Sequence, residues 1–445
     1  MTTVAAVAAD ERAGGLARLE PQPNSNDPAW LAEARRAAFG WVAEHGFPTL
    51  KDEDWHYTRL GPVLEAPFEP AVPGVGDAPW ADALAADLGG TRLVFVNGYF
   101  VSELSRSIKL PEGAIVTSLA SVLAEGAERL EPFLARPFGQ HDHAFAALNT
   151  ALANDGAFIH LPADTTVDDP IELVFLSDTA GSPMVSSPRT VVLAGPRSRV
   201  AIVETYAGTP GDVYCTNAVT EVVLEEGAQV EHYKVQDESE TAFHLALLDV
   251  RQGRDSRFFS HSVALGSRLA RHEVRVGLEA EGAEVSLDGL YMPRGDQHHD
   301  NPILVEHAAP GCTSRQLYKG VLDGHGHGVF NGRVVVRPGA DGSDATQTNK
   351  NLLLSDHAEV DTRPRLEIFA DDVKCTHGAA VGQLDEDAVF YLRSRGVPHL
   401  AARGLLIYAF VNEMVERLRL GPLRSRVEEL VAHRLATGDD EEVVR

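Results

Sequence analysis

The spacing of apolar residues changes twice along the chain, which divides it into three parts. In the first part, apolar side chains recur at helical spacing from Asp27 to Glu44, and shorter helical segments follow over 118–134 and 143–154. Asn97-Gly98 lies within an alternating apolar segment, which is a strong signal for a β-hairpin. The pattern predicts a mixed, largely helical N-terminal domain over residues 26–155.

In the second part, helical periodicity disappears, and short Val-, Ile-, Leu- and Phe-rich strands alternate with Gly, Asp and Pro turns. A three-residue pattern follows several of the turns: a small residue, then any residue, then an apolar residue. The first residues of successive copies are 30, 28 and 27 residues apart: Ser198, Ala228, Ser256 and Ala283. Ala358 begins the same pattern later in the chain. Even spacing without intervening helices favours a β-solenoid over a sandwich or a barrel, so we predict a mainly β core over residues 156–382.

The third part is again helical. Asp385 is a predicted N-cap, Gly396 a predicted stop, and a longer amphipathic segment runs from Leu400 to Leu420. The pattern predicts a C-terminal helical domain over residues 383–436. Its apolar stripe either packs on its own domain or forms a docking groove for a partner, and the sequence leaves both possibilities open. The candidate docking residues in this stripe are Leu406, Phe410 and Met414.

Composition narrows the classes of function. The chain has 445 residues, 44% of them hydrophobic, a formal net charge of −26 and a pI near 5.0, so nucleic acid is not an expected partner. No apolar run approaches the roughly 18 residues of a membrane span. Residues 1–25 lack the features of a signal peptide and are predicted to be disordered, and a frayed tail is predicted over 437–445. The three cysteines are widely spaced, which fits a reducing compartment, and we expect a cytoplasmic protein.

Cys375 and His377 are the strongest candidates for chemistry. They supply a thiol and an imidazole, which suit iron, zinc or cluster binding, and residues two apart on a strand share a face. The spacing alone favours a buried small cysteine beside a hydrogen-bonded histidine over a metal site. Two ligands do not close a metal site, so further ligands would have to come from elsewhere in the chain or from a partner.

A second polar tract contains four metal-ligand residues: His298, His299, Asp300 and His307. Its spacing matches no established ligand motif, and turn residues and solvated histidines are the favoured interpretation, as they are for His325 and His327. The sequence contains no P-loop, no dinucleotide-binding glycine motif and no nucleophile elbow, so any ATP that is used would be bound by another chain. The alternatives are a carbohydrate-active β-helix enzyme using carboxylates of this tract, and a self-sufficient metal-binding protein.

Several long stretches resemble one known family. NKNLLLSDHAEVDTRPRLEIFADDVKCTHGAAVG from Asn349, FPTLKDEDWHYT from Phe47 and HHDNPILVEHAAPGCTSRQLYKGVL from His298 are similar to signatures of the SufB/SufD family. These are scaffold subunits of the SUF iron–sulfur cluster assembly system. FVNGYF from Phe95 and PRTVVLAGPRSRVAIVETY from Pro188 extend the resemblance over most of the chain.

The resemblance implies a fold, partners and a site. The implied fold is a right-handed parallel β-helix between helical domains, which pairs with a SufB paralogue and docks the SufC ATPase through its C-terminal helices. It implies that His377 contributes to a transient cluster at the SufB interface, with Cys375 a weaker candidate and no tightly bound cofactor on the isolated chain, which could also form a homodimer. SufB carries a cysteine matching Asn349 and a glutamate matching Gly378, so the chain resembles the SufD branch more than the SufB branch, and a SufB-like scaffold is the alternative.

Overall fold

The middle of the chain winds into a parallel β-solenoid whose successive strands alternate between two sheets. A computed structural model describes residues 16, 19, 27–74, 87–135 and 144–437. Sheet 1 contains β1 (Glu69–Pro70), β4 (Ile115–Ser118), β5 (Gly156–Leu161), β7 (Met184–Ser186), β8 (Arg189–Ala194), β10 (Tyr214–Leu224), β12 (Phe243–Gln252), β14 (Leu269–Leu278), β16 (His298–His307), β18 (His327–Val336), β20 (Glu359–Thr362) and β21 (Arg365–Ile368). Sheet 2 contains β2 (Arg92–Val96), β3 (Tyr99–Phe100), β6 (Ile171–Ser177), β9 (Arg199–Gly208), β11 (Gln229–Asp237), β13 (Arg257–Ala264), β15 (Glu284–Tyr291), β17 (Thr313–Leu322), β19 (Ser343–Leu353) and β22 (Val373–Gln383). The predicted fold class, mainly β with a solenoid core, is confirmed.

The recurring small residues form a column at the turn that leads into sheet 2. They immediately precede β9, β11, β13 and β15, and the parallel register keeps them level from rung to rung. Each is at most 1% exposed: Ser198, Ala228, Ser256 and Ala283. Cys312 precedes β17 and Ser343 begins β19, so both continue this column. Ala358 is different, because it precedes β20 of sheet 1 and belongs to the opposite turn.

The N-terminal part packs on the solenoid rather than standing apart from it. Its helices are α1 (Ala29–His45), α2 (Gly61–Glu65), α3 (Leu119–Gly126), α4 (Glu131–Leu134) and α5 (Ala144–Leu152), with short 3₁₀ turns at Glu53–Trp55, Ser102–Leu104 and Ala127–Arg129. The predicted hairpin is confirmed, since Asn97 and Gly98 have φ angles of 56° and 84° between β2 and β3. Because β2 also pairs with β6 in parallel, the region predicted as largely helical contributes a strand to the first rung.

The C-terminal helices cover the outer face of sheet 2. They are α6 (Glu386–Ser394), α7 (His399–Glu416) and α8 (Gly421–Thr437). Asp385 caps α6 as predicted, accepting hydrogen bonds from two backbone N–H groups of the first turn, and Gly396 follows the helix with a φ of 88°. Apolar residues of α7 and α8 pack in one cluster with the outward-facing side chains of sheet 2, among them Val235 and Phe259.

Most of both predicted disordered ends lies outside the described residues. In the N-terminal stretch, Leu16 and Leu19 are described, and both are buried in a cluster with Val42 and Trp55. Thr437 ends α8, and the remainder of the predicted frayed tail is not described. The described helices include none that is long and apolar enough to cross a membrane.

Candidate functional site

Strand β22 forms the open end of the solenoid. It pairs with β19 along one edge, from Val373 opposite Ser343 to Gln383 opposite Leu353, and no described strand pairs with its other edge. Nine of its eleven residues are exposed, and only Val373 and Cys375 are partly covered. Unpaired N–H and C=O groups along a strand edge are a template for pairing with another chain. The open end is therefore a surface that a further β element can extend.

Cys375 and His377 lie on the face of β22 that continues the solenoid interior. The register places Cys375 next to Ala345 and His377 next to Gln347, both of which are 1% exposed inward-facing residues of β19. Since no described rung covers them, the imidazole of His377 is exposed and the thiol of Cys375 is half-buried. Burial raises the pKa of the Cys375 thiol, so the thiol is protonated at neutral pH. Of the two side chains, the imidazole of His377 is the more exposed.

Asn349 lies on the inward face of β19 and is opposite Ala379 of the open end. Its side-chain amide donates to Tyr291 Oη at 3.2 Å and to the Tyr318 carbonyl at 3.3 Å, and its oxygen accepts from Asn351 Nδ2 at 2.6 Å. A neutral amide held in this way supplies no thiolate to a cluster. Within residues 27–74, 87–135 and 144–437, no three His, Cys, Asp or Glu side chains are arranged to hold a metal ion.

Exposed apolar side chains surround the open end. Val381 of β22 is 49% exposed, and Phe369, in the segment that leads into this strand, is 58% exposed. The sequence pattern gave no sign of this exposure, because a strand reads the same whether or not another rung follows it. Apolar side chains exposed at a strand edge are typical of a protein–protein interface.

A second exposed apolar surface lies on α6 and α7. Its members range from 37% to 70% exposed: Phe390, Tyr391, Leu400, Leu405 and Tyr408. The predicted docking residues lie elsewhere on α7. Met414 is fully buried against sheet 2, while Leu406 and Phe410 are half-buried. The side chain of Met414 therefore packs within the chain, and the exposed outer face of α6 and α7 is here called the α6–α7 surface.

Successive side chains of β16 point to opposite faces of sheet 1, so the residues of the predicted histidine tract are divided between these two faces. His299 and His307 point into the solenoid, where His299 Nε2 bonds the Gly266 carbonyl at 2.9 Å and His307 lies between two serine hydroxyls. His298 and Asp300 point outward from sheet 1 toward the N-terminal part, where both contact Thr58. The four residues therefore do not form one site. Instead, His298 meets His327 of the next rung.

The solenoid interior also holds charged residues that the sequence pattern did not single out. Glu204 and Lys234 are 2% and 4% exposed, and the Lys234 ammonium lies 4.9 Å from the centre of the Tyr206 ring. Burial lowers the pKa of Lys234 to about 8, against the opposing charge of Glu204. For Glu204, burial is outweighed by His232 and Lys234, which lower its pKa to about 2. These buried charges therefore interact electrostatically inside the solenoid.

The other two cysteines, Cys215 and Cys312, are buried. Cys215 is buried against the N-terminal part in one cluster with Phe243, and burial raises the pKa of its thiol. Cys312 occupies the small-residue column, and its thiol lies 3.3 Å from the Ala280 carbonyl. All three cysteines of the chain are free thiols. Only Cys375 is accessible at a surface where a partner could reach it.

Two family models match the chain from its N-terminal part to α7. The model described as SUF system FeS cluster assembly, SufBD core domain, matches residues 175–410, and the SufBD protein N-terminal region matches residues 22–173. An iron–sulfur cluster assembly SufBD family protein of Synechocystis is 33% identical over 413 residues, 91% of each chain. The Escherichia coli iron–sulfur cluster assembly protein SufD is 32% identical over 395 residues, 88% of this chain and 90% of that one.

A more distant relative is also named SufD. The Bacillus subtilis protein is 26% identical over 336 residues, 75% of this chain and 76% of that one. The matched segments include both the solenoid and the N-terminal part, so the resemblance first carried by short sequence signatures is confirmed over the fold. The chain belongs to the SufBD family of SUF-system iron–sulfur cluster assembly proteins, with SufD proteins among its relatives.

Proposed function

We propose that this chain is a non-catalytic scaffold subunit that pairs with a SufB paralogue through the open end and docks the SufC ATPase through the α6–α7 surface. The observation that carries the proposal is the exposure of His377 on a strand with an unpaired edge. A partner strand added at this edge would cover His377 and Cys375 in the way that each rung covers the one before it. The two chains would then enclose a small space lined by residues from both.

His377 is the residue that we assign to the nascent cluster at this interface. The imidazole is exposed and offers a nitrogen ligand, whereas the Cys375 thiol is half-buried and its pKa is raised. One imidazole and one protonated thiol do not satisfy the ligand needs of an iron–sulfur cluster. The cluster, which is the cargo of the system, therefore takes its remaining ligands from the partner and leaves with its acceptor.

The ATPase docks on α6 and α7 in this proposal. These helices begin directly after β22, so a force applied to the α6–α7 surface reaches the open end through one short connection at Leu384 and Asp385. The exposed Phe390 and Leu405 provide the apolar contact that a helix face offers to a partner. ATP-driven movement of the ATPase would then change the geometry of the interface that carries His377.

A SufB-like scaffold that holds the cluster itself is the second candidate. It would require a thiolate where Asn349 lies, and the amide there is fully hydrogen-bonded to neutral groups. This surrounding supports the SufD role over the SufB role. An isolated chain with the same open edge could pair with a second copy of itself, so a homodimer is expected in the absence of the paralogue.

The test is an anaerobic pull-down of the tagged chain from its own cells, combined with the activity of an iron–sulfur enzyme in cells that carry variants. We expect recovery of a P-loop ATPase and a paralogous solenoid chain. His377→Ala should lower the enzyme activity several-fold without changing what is recovered, whereas His45→Ala, at an exposed histidine at the end of α1, should have no effect. Recovery of the chain alone, or full activity with His377→Ala, would overturn the proposal.

A further inference from the structure

Two histidines of neighbouring rungs meet on the outer face of sheet 1. His298 and His327 begin β16 and β18, which pair in parallel with these two residues in register. Their Nδ1 atoms are 3.0 Å apart, and their ring planes make an angle of 83°. Both residues are half-buried, and they lie on the opposite sheet from His377, so this pair is distinct from the proposed cluster site.

The partners on the far side of each ring determine which nitrogens carry protons. His327 Nε2 is 2.8 Å from Asp361 Oδ2, and an ionised carboxylate can only accept, so Nε2 donates. Thr58 donates its single hydroxyl hydrogen to Asp300 at 2.6 Å, so His298 Nε2, 3.0 Å from the same hydroxyl oxygen, donates to it. Both neutral imidazoles therefore present the lone pair of Nδ1, and these two lone pairs face each other.

Two lone pairs at 3.0 Å repel unless a cation lies between them. Metal–nitrogen bonds of about 2.0–2.1 Å to two atoms at this separation enclose an angle of roughly 90–95°, close to the cis angle of an octahedral ion. Histidines that bind metals also donate their other N–H to an oxygen acceptor, as both of these do.

We propose that His298 and His327 bind a divalent transition-metal ion through their Nδ1 atoms. The Asp361 carboxylate holds the His327 ring directly, whereas Asp300, which is paired with Arg271, holds the His298 ring through the Thr58 hydroxyl. Glu359 is next to His327 in the register of β18 and β20, and it is exposed on the same face, so its carboxylate can supply an oxygen ligand by a side-chain rotation.

The arrangement favours an ion that exchanges rather than one that stays bound. No described group of three protein ligands is in place, so water must fill most of the coordination positions. An open site of this type takes up and releases an ion readily, because few protein bonds have to break. Asp361 acts as a positioning residue, since it fixes the orientation of the His327 ring without contacting the ion itself.

A titration of the purified full chain with Co²⁺ at neutral pH tests the proposal, followed by visible absorption and by the NMR signals of the imidazole nitrogens. We expect one saturable equivalent that shifts the signals of His298 and His327. His327→Ala should abolish this equivalent, and Asp361→Asn should weaken it at least tenfold with the two ligand signals still shifting at saturation. His298→Asn provides a second ligand variant, and the thermal midpoint of each variant reports whether it is folded.

The chain offers a matched control in a second histidine pair. His325 and His357 lie on neighbouring turns, are exposed, and stack with nearly parallel rings 4.9 Å apart, so their nitrogens are not aimed at a common point. His325→Ala and His377→Ala should both retain the Co²⁺ equivalent, which separates this site from surface binding and from the proposed cluster site. Identical titrations of the unmodified chain and His327→Ala, or no saturable binding, would overturn the proposal and assign a shared proton to the pair.

Discussion

The ammonium group of Lys319, on the outer face of sheet 2, lies under Phe410 of α7 and contacts it in two ways. Lys319 Nζ donates to the Phe410 carbonyl at 2.8 Å and lies 4.4 Å from the centre of the Phe410 ring. The Lys319 side chain is only 4% exposed, and its charge is balanced by Glu413, one helical turn further along α7 at 2.5 Å. This one side chain therefore attaches the helix of the proposed docking surface to the solenoid.

Replacement of this lysine should loosen α7. Lys319→Met keeps the apolar stem but removes the ammonium, and the loss of hydrogen bonds to a charged group costs about 1.5–3 kcal/mol of unfolding free energy. Hydrogen exchange should speed up in α7 and α8 ahead of the solenoid strands. Arg197→Gln, which breaks an exposed ion pair with Asp164 on a solenoid turn, is the control and should leave exchange in the helices unchanged. Equal hydrogen-exchange rates in the helices of the two variants would show that Lys319 does not hold α7 on the solenoid.

A histidine beneath α7 should make stability dependent on pH. His261 is buried, with neither ring nitrogen hydrogen-bonded within the described part of the chain, and burial followed by the charge of Arg417 lowers its pKa to about 3. Between about pH 6.5 and pH 3 the unfolded chain binds a proton at this residue that the folded chain does not bind. Unfolding free energy therefore falls as the pH falls through this window, by about 1.6 kcal/mol from pH 6.5 to pH 5 for this one group.

His261→Gln isolates this contribution, because glutamine does not titrate. Chemical denaturation at pH 7.5 and pH 5.0 should show a loss of stability in the variant that is smaller by about 2 kcal/mol than the loss in the unmodified chain. His399→Asn, at an exposed histidine that begins α7, serves as the control and should keep the full pH dependence. An unchanged pH dependence in His261→Gln would show that the imidazole takes up its proton over the same pH range in the folded and the unfolded chain.

A glycine at the start of β5 has no room for a side chain. Gly156 has a φ of 150°, and a Cβ there would lie 1.9 Å from the Arg189 carbonyl oxygen of β8. Gly156→Ala should therefore cost about 3 kcal/mol or more, because backbone strain adds to an overlap with main chain that cannot move aside. Gly404→Ala, in α7 where a Cβ meets no atom within 4 Å, should instead gain about 0.5–1 kcal/mol. Equal thermal midpoints for the two variants would refute this account.

The sequence revealed the repeat because the same packing demand recurs on every rung. A small residue is needed wherever the turn into sheet 2 closes, and that demand places Ser198 and Ala228 at the same level of adjacent rungs. Cys312 escaped the pattern because the third residue of its segment is Ser314 and not an apolar residue. Ala358 matched the pattern and lies in the opposite turn, because three letters do not specify which sheet the next strand joins.

The candidate site was harder to predict from the sequence than the fold. The alternation of side chains along a strand predicted that Cys375 and His377 share a face. That face is uncovered because no described rung follows β22, and the local sequence pattern does not encode where the last rung lies. The sequence predicted the apolar stripe of α7 but did not predict which of its residues face the solenoid. Met414 packs on sheet 2 because α7 lies across that sheet. His298 and His327 are 29 residues apart in the chain, so only the register of β16 and β18 brings their nitrogens together.

The α6–α7 surface gives the sharpest test of ATPase docking. Leu405 is 55% exposed on α7, so Leu405→Asp places a charge on the proposed interface without disturbing the buried face of the helix. We expect recovery of the ATPase with the tagged chain to fall at least tenfold, while recovery of the paralogous solenoid chain and the thermal midpoint stay unchanged. Deletion of α7 and α8 would be less informative, because it would uncover the apolar outer face of sheet 2, including Val235 and Phe259.

The matched control is Val72→Asp, since Val72 is an exposed apolar residue, 68% exposed, that lies in the N-terminal part and far along the chain from the helices. This variant adds the same charge to the same net-negative protein, so it corrects for any general electrostatic effect on recovery. An equal fall in ATPase recovery in both variants would show that the added charge, and not the position on the α6–α7 surface, causes the loss. Undiminished recovery with Leu405→Asp would move the docking site away from α7, since a buried carboxylate facing an apolar partner is too costly for the contact to persist.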